Sequence, residues 1–152
     1  MGDTMAHEIR MAGDDDFFGW LPLFAAYCDF YETELDDAKA LIVWTWIRDE
    51  NDPLQAALAV DDEGTPVGLA QYRVVPDTLR ATRGVFLDDL YVNEDARRNG
   101  VGRSLIEFVH ARSLEVGAGG VSWITAADNV DAQRLYDDMA RRTSWVMYEM
   151  EA

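Results

Sequence analysis

Between Arg83 and Leu114 the side-chain pattern changes period across one short break. Arg83 to Val92 reads as a strand, and Leu105, Ile106, Val109 and Leu114 then recur at the spacing of a helix face. The break, Asn93 to Gly102, carries Arg97-Arg98-Asn99-Gly100-Val101-Gly102 and runs on into Arg103-Ser104. A strand that enters a helix through glycines and arginines fixes a loop at the end of a sheet. Gly117-Ala118-Gly119-Gly120 closes the helix, and Val121 to Thr125 reads as a buried strand, so the unit is a strand-helix-strand crossover.

The rest of the chain builds around that crossover. His7 to Met11 is strand-like. Asp14-Asp15-Asp16 can cap a helix whose apolar residues are Phe17, Leu21, Phe24, Cys28 and Tyr31, and a second helix follows Asp36-Asp37. Gln55 to Val60 and Pro66 to Val75 form a hairpin about Asp61-Asp62-Glu63-Gly64. After the crossover come a helix from Val130 to Arg141 and a last strand from Trp145 to Met150. The order β-α-α-β-β-β-α-β-α-β describes an α+β fold: a mixed, mostly antiparallel sheet with helices on both faces. No repeat or Pro/Ser-rich linker divides the 152 residues, so 1–152 is read as one domain.

Charge narrows the partners. Thirteen basic against twenty-nine acidic residues give a net charge of −16, which repels a phosphate backbone, so no nucleic-acid partner is expected and a cationic one is favoured. All the bases except Lys39 are arginine, the side chain whose planar fork suits phosphate. The single cysteine, Cys28, lies on an apolar helix face and reads as core. His7 and His110 are isolated, so no metal site is expected. No apolar run reaches the roughly 18–20 residues of a membrane span. With no signal peptide, and no Ser or Thr at position six for an N-terminal lipid, the cytoplasm is the expected compartment.

The Arg97–Ser104 segment has the parts of an anion site. Glycines let the backbone approach a phosphate, the helix N-terminus offers unpaired N–H groups, and three arginines supply charge. It lacks the Gly-Lys-Ser/Thr of a Walker loop and the third glycine of a Rossmann loop. Arg97-x-x-Gly100-x-Gly102 after Leu90-Tyr91-Val92 resembles the pyrophosphate loop of the GNAT superfamily of acetyl-CoA-dependent N-acetyltransferases. Asn129-x-x-Ala132-x-x-Leu135-Tyr136 resembles the second half of that family's cofactor site. The acidic pair in Phe86-Leu87-Asp88-Asp89-Leu90 is most similar to the diamine/polyamine and small fungal histone/polyamine acetyltransferases. One departure is Met139-Ala140-Arg141-Arg142-Thr143-Ser144-Trp145, where the family commonly has Leu-Gly-Phe.

The resemblance implies direct transfer of an acetyl group from acetyl-CoA to a primary amine in a ternary complex. It implies a cofactor site at Leu90, Tyr91, Val92, Arg97 through Ser104, Asn129 and Tyr136. Asp88 is then the expected base, directly or through a water, and Tyr136 the expected acid. Neighbouring strand residues point to opposite faces, so Asp88 and Asp89 enter one pocket only if a bulge turns the chain. No Lys or Arg lies between Met11 and Ala38, where acids accompany Tyr27, Phe30 and Tyr31. This wall suits a polyamine or other small cationic amine, with a protein lysine second. Tyr27, Tyr31, Asp88 and Asp89 are the expected acceptor contacts, although helix caps and core aromatics would give the same pattern. A module that binds acyl-CoA without catalysis is the alternative. Trp44, Trp46 and Trp145, read as exposed, leave room for a homodimer.

Overall fold

The structure, a computed structural model, describes residues 7–152. The N-terminal residues considered for a lipid anchor lie outside them. The chain forms β1 (His7–Met11), a 3-10 turn at Asp14–Asp16, α1 (Phe17–Phe30), α2 (Asp37–Arg48), β2 (Leu54–Asp61), β3 (Pro66–Asp77) and β4 (Thr82–Val92). It continues through α3 (Val101–Glu115), β5 (Ala118–Ser122) and α4 (Val130–Met139). The five strands make one sheet in the order β1-β2-β3-β4-β5, antiparallel through β4 and parallel between β4 and β5. Short turns can join only antiparallel neighbours, whereas the α3 crossover returns the chain in the same direction. In the β2–β3 turn, Asp61 accepts from Glu63 N at 3.0 Å and Thr65 N at 2.9 Å. No described helix is long and apolar enough to cross a membrane.

The sheet separates two cores. On one face α3 lays Val101, Leu105, Ile106 and Val109 on Ala59, Ala70, Tyr72, Val85 and Leu87. On the other, Trp20 and Leu23 of α1 and Ala40 of α2 cover Ala56, Leu58, Val60 and Leu69. Gly68 permits the close seat of α3, since a Cβ there would stand 3.0 Å from Val101 Cγ1 and 3.1 Å from Leu105 Cδ1.

Several expectations need correction. In α1 the expected Phe17, Leu21 and Phe24 pack against the core and Cys28 is buried, but Tyr31 is exposed and the two fully buried residues, Trp20 and Leu23, lie outside the expected stripe; the helix is apolar on almost every side, so periodicity could not choose its face completely. Asp14–Asp16 form their own turn, within which Asp16 accepts from Gly13 N at 2.6 Å and pairs with Arg10 at 2.6 and 2.9 Å. Trp44 is not exposed but packs on Phe17 and Trp20. β5 lies at Ala118–Ser122, earlier than expected, because its glycines run within the sheet. A Cβ at Gly119 would stand 3.2 Å from Thr82 Cγ2 of β4. α4 stops at Met139, two residues before the expected Arg141.

The expected last strand from Trp145 to Met150 does not form. A strand needs a neighbour's edge, and residues 140–152 pair with none among the described residues, leaving Trp145 82%, Tyr148 90% and Met150 98% exposed.

Candidate active site

A bulge in β4 creates the site. The register pairs Gln71 with Asp89 but Tyr72 with Leu87, so Asp88 is an extra residue. The insertion flips strand parity: Val85 and Leu87 before it, and Leu90 and Val92 after it, all pack on the α3 face. Tyr91 packs on the α1/α2 face, which by the same alternation is the face of Asp89. Both aspartates line one cavity of about 730 Å³ with Tyr27, Cys28, Tyr31, Trp46, Asp52 and Arg73. The β4–β5 pairing ends at Phe86–Ser122. Beyond it, the β5-side edge of β4 is open to a ligand.

The two carboxylates differ in kind. Asp89 Oδ2 accepts from Gln71 Nε2 at 2.6 Å, and Gln71 Oε1 accepts from Trp20 Nε1 at 2.8 Å. Gln71 is 1% and Trp20 0% exposed, so the support behind Asp89 is shielded from water while Asp89 itself lines the cavity. Burial pushes the Asp89 carboxyl above the usual carboxylate range; hydrogen bonds from Gln71 and Tyr27 oppose the rise, and the charge of Asp88 adds to it. Asp88 instead accepts from Arg73 Nε at 3.0 and 3.1 Å near the surface. Burial beside Asp89 also pushes the Tyr27 phenol up, and its hydroxyl donates to the Asp88 carbonyl at 3.4 Å.

A second cavity of about 980 Å³ runs from Leu90, Tyr91 and Val92 past Arg97, Arg98, Gly100, Val101, Gly102 and Arg103 to Asn129, Ala132, Arg134 and Tyr136. Tyr27 and Tyr31 line both cavities and so stand where the two meet. Arg98 and Gly100 have φ of +66° and +78°, a left-handed turn into α3. Ser104 N already bonds Gly100 O at 3.0 Å, which leaves the amides of Val101, Gly102 and Arg103 as first-turn donors without helical acceptors. Arg97 Nε donates to Val92 O at 2.9 Å and its guanidinium lies over the Tyr91 ring. Arg103 pairs with Asp138 across to α4. This donor set fits a polyphosphate.

Two expected cofactor contacts do not line this cavity. Asn99 Nδ2 donates to Ala96 O and Arg97 O, bracing the loop, and Ser104 Oγ bonds His7 Nε2 at 2.9 Å. Asn129 both caps α4, accepting from Ala132 N at 3.4 Å, and lines the cavity. The Tyr136 ring meets Trp123 edge-on at 5.4 Å, and burial pushes its phenol up. Its hydroxyl has no hydrogen-bond partner among the described residues, so it is free to donate.

The sequence reading missed Trp20, Gln71, Arg73 and Arg134. Gln71 had a signal, being a lone amide in the apolar part of a strand. Arg134 sits inside the Asn129–Tyr136 motif at a position the motif leaves open.

Comparison with known proteins agrees with this geometry. The family model described as Acetyltransferase (GNAT) family matches residues 20–140. The D-amino-acid N-acetyltransferase HPA3 of Saccharomyces cerevisiae is 37% identical over 131 residues, 86% of this chain and 81% of its own length. The L-ornithine N5-acetyltransferase NATA1 of Arabidopsis thaliana is 34% identical over 59 residues, 39% of this chain and 26% of that protein. Among solved structures, a ribosomal-protein-alanine N-acetyltransferase from Brucella melitensis shares the fold at 21% identity, with a TM-score of 0.83 and coverage of 97% of this chain and 99% of that one. With four-fifths of the sequence inside one family model and a curated relative matched along most of both chains, the protein belongs to the GNAT family of acetyltransferases.

Proposed function

We propose that this acetyltransferase moves the acetyl group of acetyl-CoA to the primary amine of a small acceptor, by direct attack while both are bound. The observation that carries the reading is the meeting of the two cavities at Tyr27 and Tyr31, one arginine-lined and the other holding a buried carboxylate. Acetyl-CoA, when bound, supplies an activated acetyl thioester. Arg97, Arg98, Arg103 and Arg134, with the amides of Val101 to Arg103, hold its phosphates. The unpaired edge of β4 after Asp88 offers backbone groups to its arm.

An amine of pKa near 10.4 is almost wholly protonated at neutral pH, so the site must remove a proton before attack. We take Asp89 rather than Asp88 as the base. Its raised affinity for a proton brings it nearer the working pH, whereas the Asp88 carboxylate is occupied by Arg73. Tyr136 gives a proton to the departing sulfur.

The acceptor is a small cationic amine, drawn by Asp52, Asp88 and Asp89 and by the faces of Tyr27, Tyr31 and Trp46. Arg73 is the one cation among the residues lining this cavity, and its Nη groups can hold a carboxylate. That favours an amino acid over a polyamine, and the two curated relatives are named for D-amino acids and L-ornithine.

The test is a screen of D- and L-amino acids, ornithine, polyamines and a lysine peptide, with acetyl-CoA, following free thiol. Turnover with amino acids that Arg73→Leu weakens through KM supports the reading. Polyamine turnover untouched by Arg73→Leu returns the acceptor to a diamine. No turnover with any amine leaves an acyl-CoA-binding module and refutes the proposal.

A further inference from the structure

The polar groups buried behind the acceptor cavity form a chain whose direction is set by their chemistry. Gln71 pairs with Asp89 in the sheet, right beside the bulge. Paired residues of antiparallel strands project to one face, here the face that α1 covers with Trp20. Gln71 Nε2 donates to Asp89 Oδ2 at 2.6 Å, and Trp20 Nε1 donates to Gln71 Oε1 at 2.8 Å. An amide has a donor end and an acceptor end, and a half-turn exchanges them. An indole N–H can only donate, so the Gln71 oxygen must face Trp20 and its NH2 group must face Asp89. Both side chains are fully buried, and no water stands ready to replace either bond. Trp20 is fixed in turn, its ring stacked on Phe24 at 5.1 Å and tilted against Trp44 at 5.1 Å.

The nearby cation is kept elsewhere. Arg73 Nε reaches both carboxylate oxygens of Asp88, at 3.0 and 3.1 Å, which leaves Asp89 to a neutral donor. A guanidinium in the place of Gln71 would also orient Asp89, but its charge would hold the carboxyl ionised and weaken it as a proton acceptor. The amide gives aim with far less of that loss.

We propose that Gln71 and Trp20 are positioning residues for the acetyl transfer: the indole sets the amide, and the amide sets the Asp89 carboxylate against the acceptor amine. The inference rests on Asp89 being the base. The acceptor ammonium gives its proton to Asp89, and the freed lone pair attacks the thioester carbon. Because Oδ2 already accepts from Gln71, the incoming proton goes to Oδ1, and the Gln71 bond persists in both protonation states. The titratable and charged groups around Asp89 are Tyr27 and Cys28 from α1, Tyr31 just past it, Asp52 ahead of β2, Arg73 from β3 and Asp88 from β4, while α2 lines the cavity with uncharged side chains. Burial pushes the Tyr27 phenol and the Cys28 thiol up, so both stay neutral where a carboxyl titrates.

Two variants of the full chain test this. Trp20→Phe frees the amide to turn; Trp20→Phe with Gln71→Met removes the amide as well and leaves neither an indole N–H nor an amide buried without a partner. Each is read by carbon NMR titration of the Asp89 carboxyl in the ligand-free protein, assigned with Asp89→Asn, and by the pH profile of kcat/KM. A hydrogen bond to a charged group holds a carboxyl midpoint down by about one to two pH units. The double variant is therefore expected to raise the Asp89 midpoint by about that much and to move the rising limb of kcat/KM with it. Its kcat at high pH is expected to fall about tenfold or more, with the acceptor KM within about twofold, because aim is lost and binding is not. Trp20→Phe alone is expected to shift both midpoints the same way by less. A pair with only a structural role would lower the unfolding midpoint and leave both titrations in place; that result in folded protein overturns the proposal. An Asp89 midpoint that moves while the kinetic limb stays refutes Asp89 as the base and removes the pair from catalysis. An Asp89 midpoint that stays, with the kinetic limb still lost in Asp89→Asn, refutes the positioning alone.

Discussion

Replacing Asp89 with Asn separates the two aspartates by opposite effects on activity and stability. Asparagine keeps the shape, and its carbonyl can still accept from Gln71 Nε2, which lies 2.6 Å from Asp89 Oδ2. What is lost is the proton acceptor. General-base assistance is worth about 10²–10⁴-fold, which at about 1.36 kcal/mol per tenfold is about 3–5 kcal/mol of transition-state stabilisation. Because burial penalises the charged form of Asp89, the neutral isostere is expected to hold stability within about 1 kcal/mol of the parent, or to raise it.

The pH dependence follows with a definite sign. A carboxyl whose folded-state pKa is raised binds its proton more tightly when folded. Its contribution to stability is therefore present below the ordinary value of 3.8 and lost as pH rises through the raised value. Asp89→Asn removes that slope. The parent kcat/KM is expected to rise with pH through a midpoint above the usual carboxylate range, and the variant to lose this limb. Asp88→Asn breaks only a partly exposed pair with Arg73, and is expected to cost under about 1 kcal/mol and less than about tenfold in kcat. Thiol-release kinetics from pH 5 to 9 and urea unfolding at two pH values measure all four quantities. A loss of about a hundredfold in Asp88→Asn, with Asp89→Asn near parent activity, would refute the argument and return the base to Asp88.

Three further outcomes are expected. Gly68→Ala puts a methyl 3.0–3.3 Å from Val101, Leu105 and Ala59, and urea unfolding should show a loss of about 1–3 kcal/mol from overpacking. Gly100→Ala meets open space but must hold φ at +78°, costing about 1–2 kcal/mol; in steady-state assays the KM for acetyl-CoA should rise more than kcat falls. Asp16→Asn removes a carboxylate whose pKa is lowered, first by its hydrogen bond from Arg10. The parent's advantage, about 1 kcal/mol at neutral pH after solvent screening, should be present above pH 3.8 and vanish as pH falls below it.

Local physics along the sequence determines much of this protein. Strand β4, the Arg97–Gly102 loop and helix α3 follow from a change of period, glycines and arginines within one short stretch, and the β2–β3 hairpin follows from the turn chemistry of Asp61 and Gly64. The need for a bulge beside Asp88 and Asp89 was also legible, since strand alternation forbids both from sharing a pocket otherwise. Tertiary structure alone decided where the bulge falls, because register depends on which β3 residue each β4 residue meets. For the same reason the Trp20–Gln71–Asp89 relay and the Arg73–Asp88 pair were invisible: their members lie 15 or more residues apart and meet only across the sheet. The buried face of α1 was hidden because apolar residues surround that helix. The last strand shows the limit most plainly. Composition marks Trp145 to Met150 as a strand, but a strand exists only against an edge, and this chain does not turn back to its own.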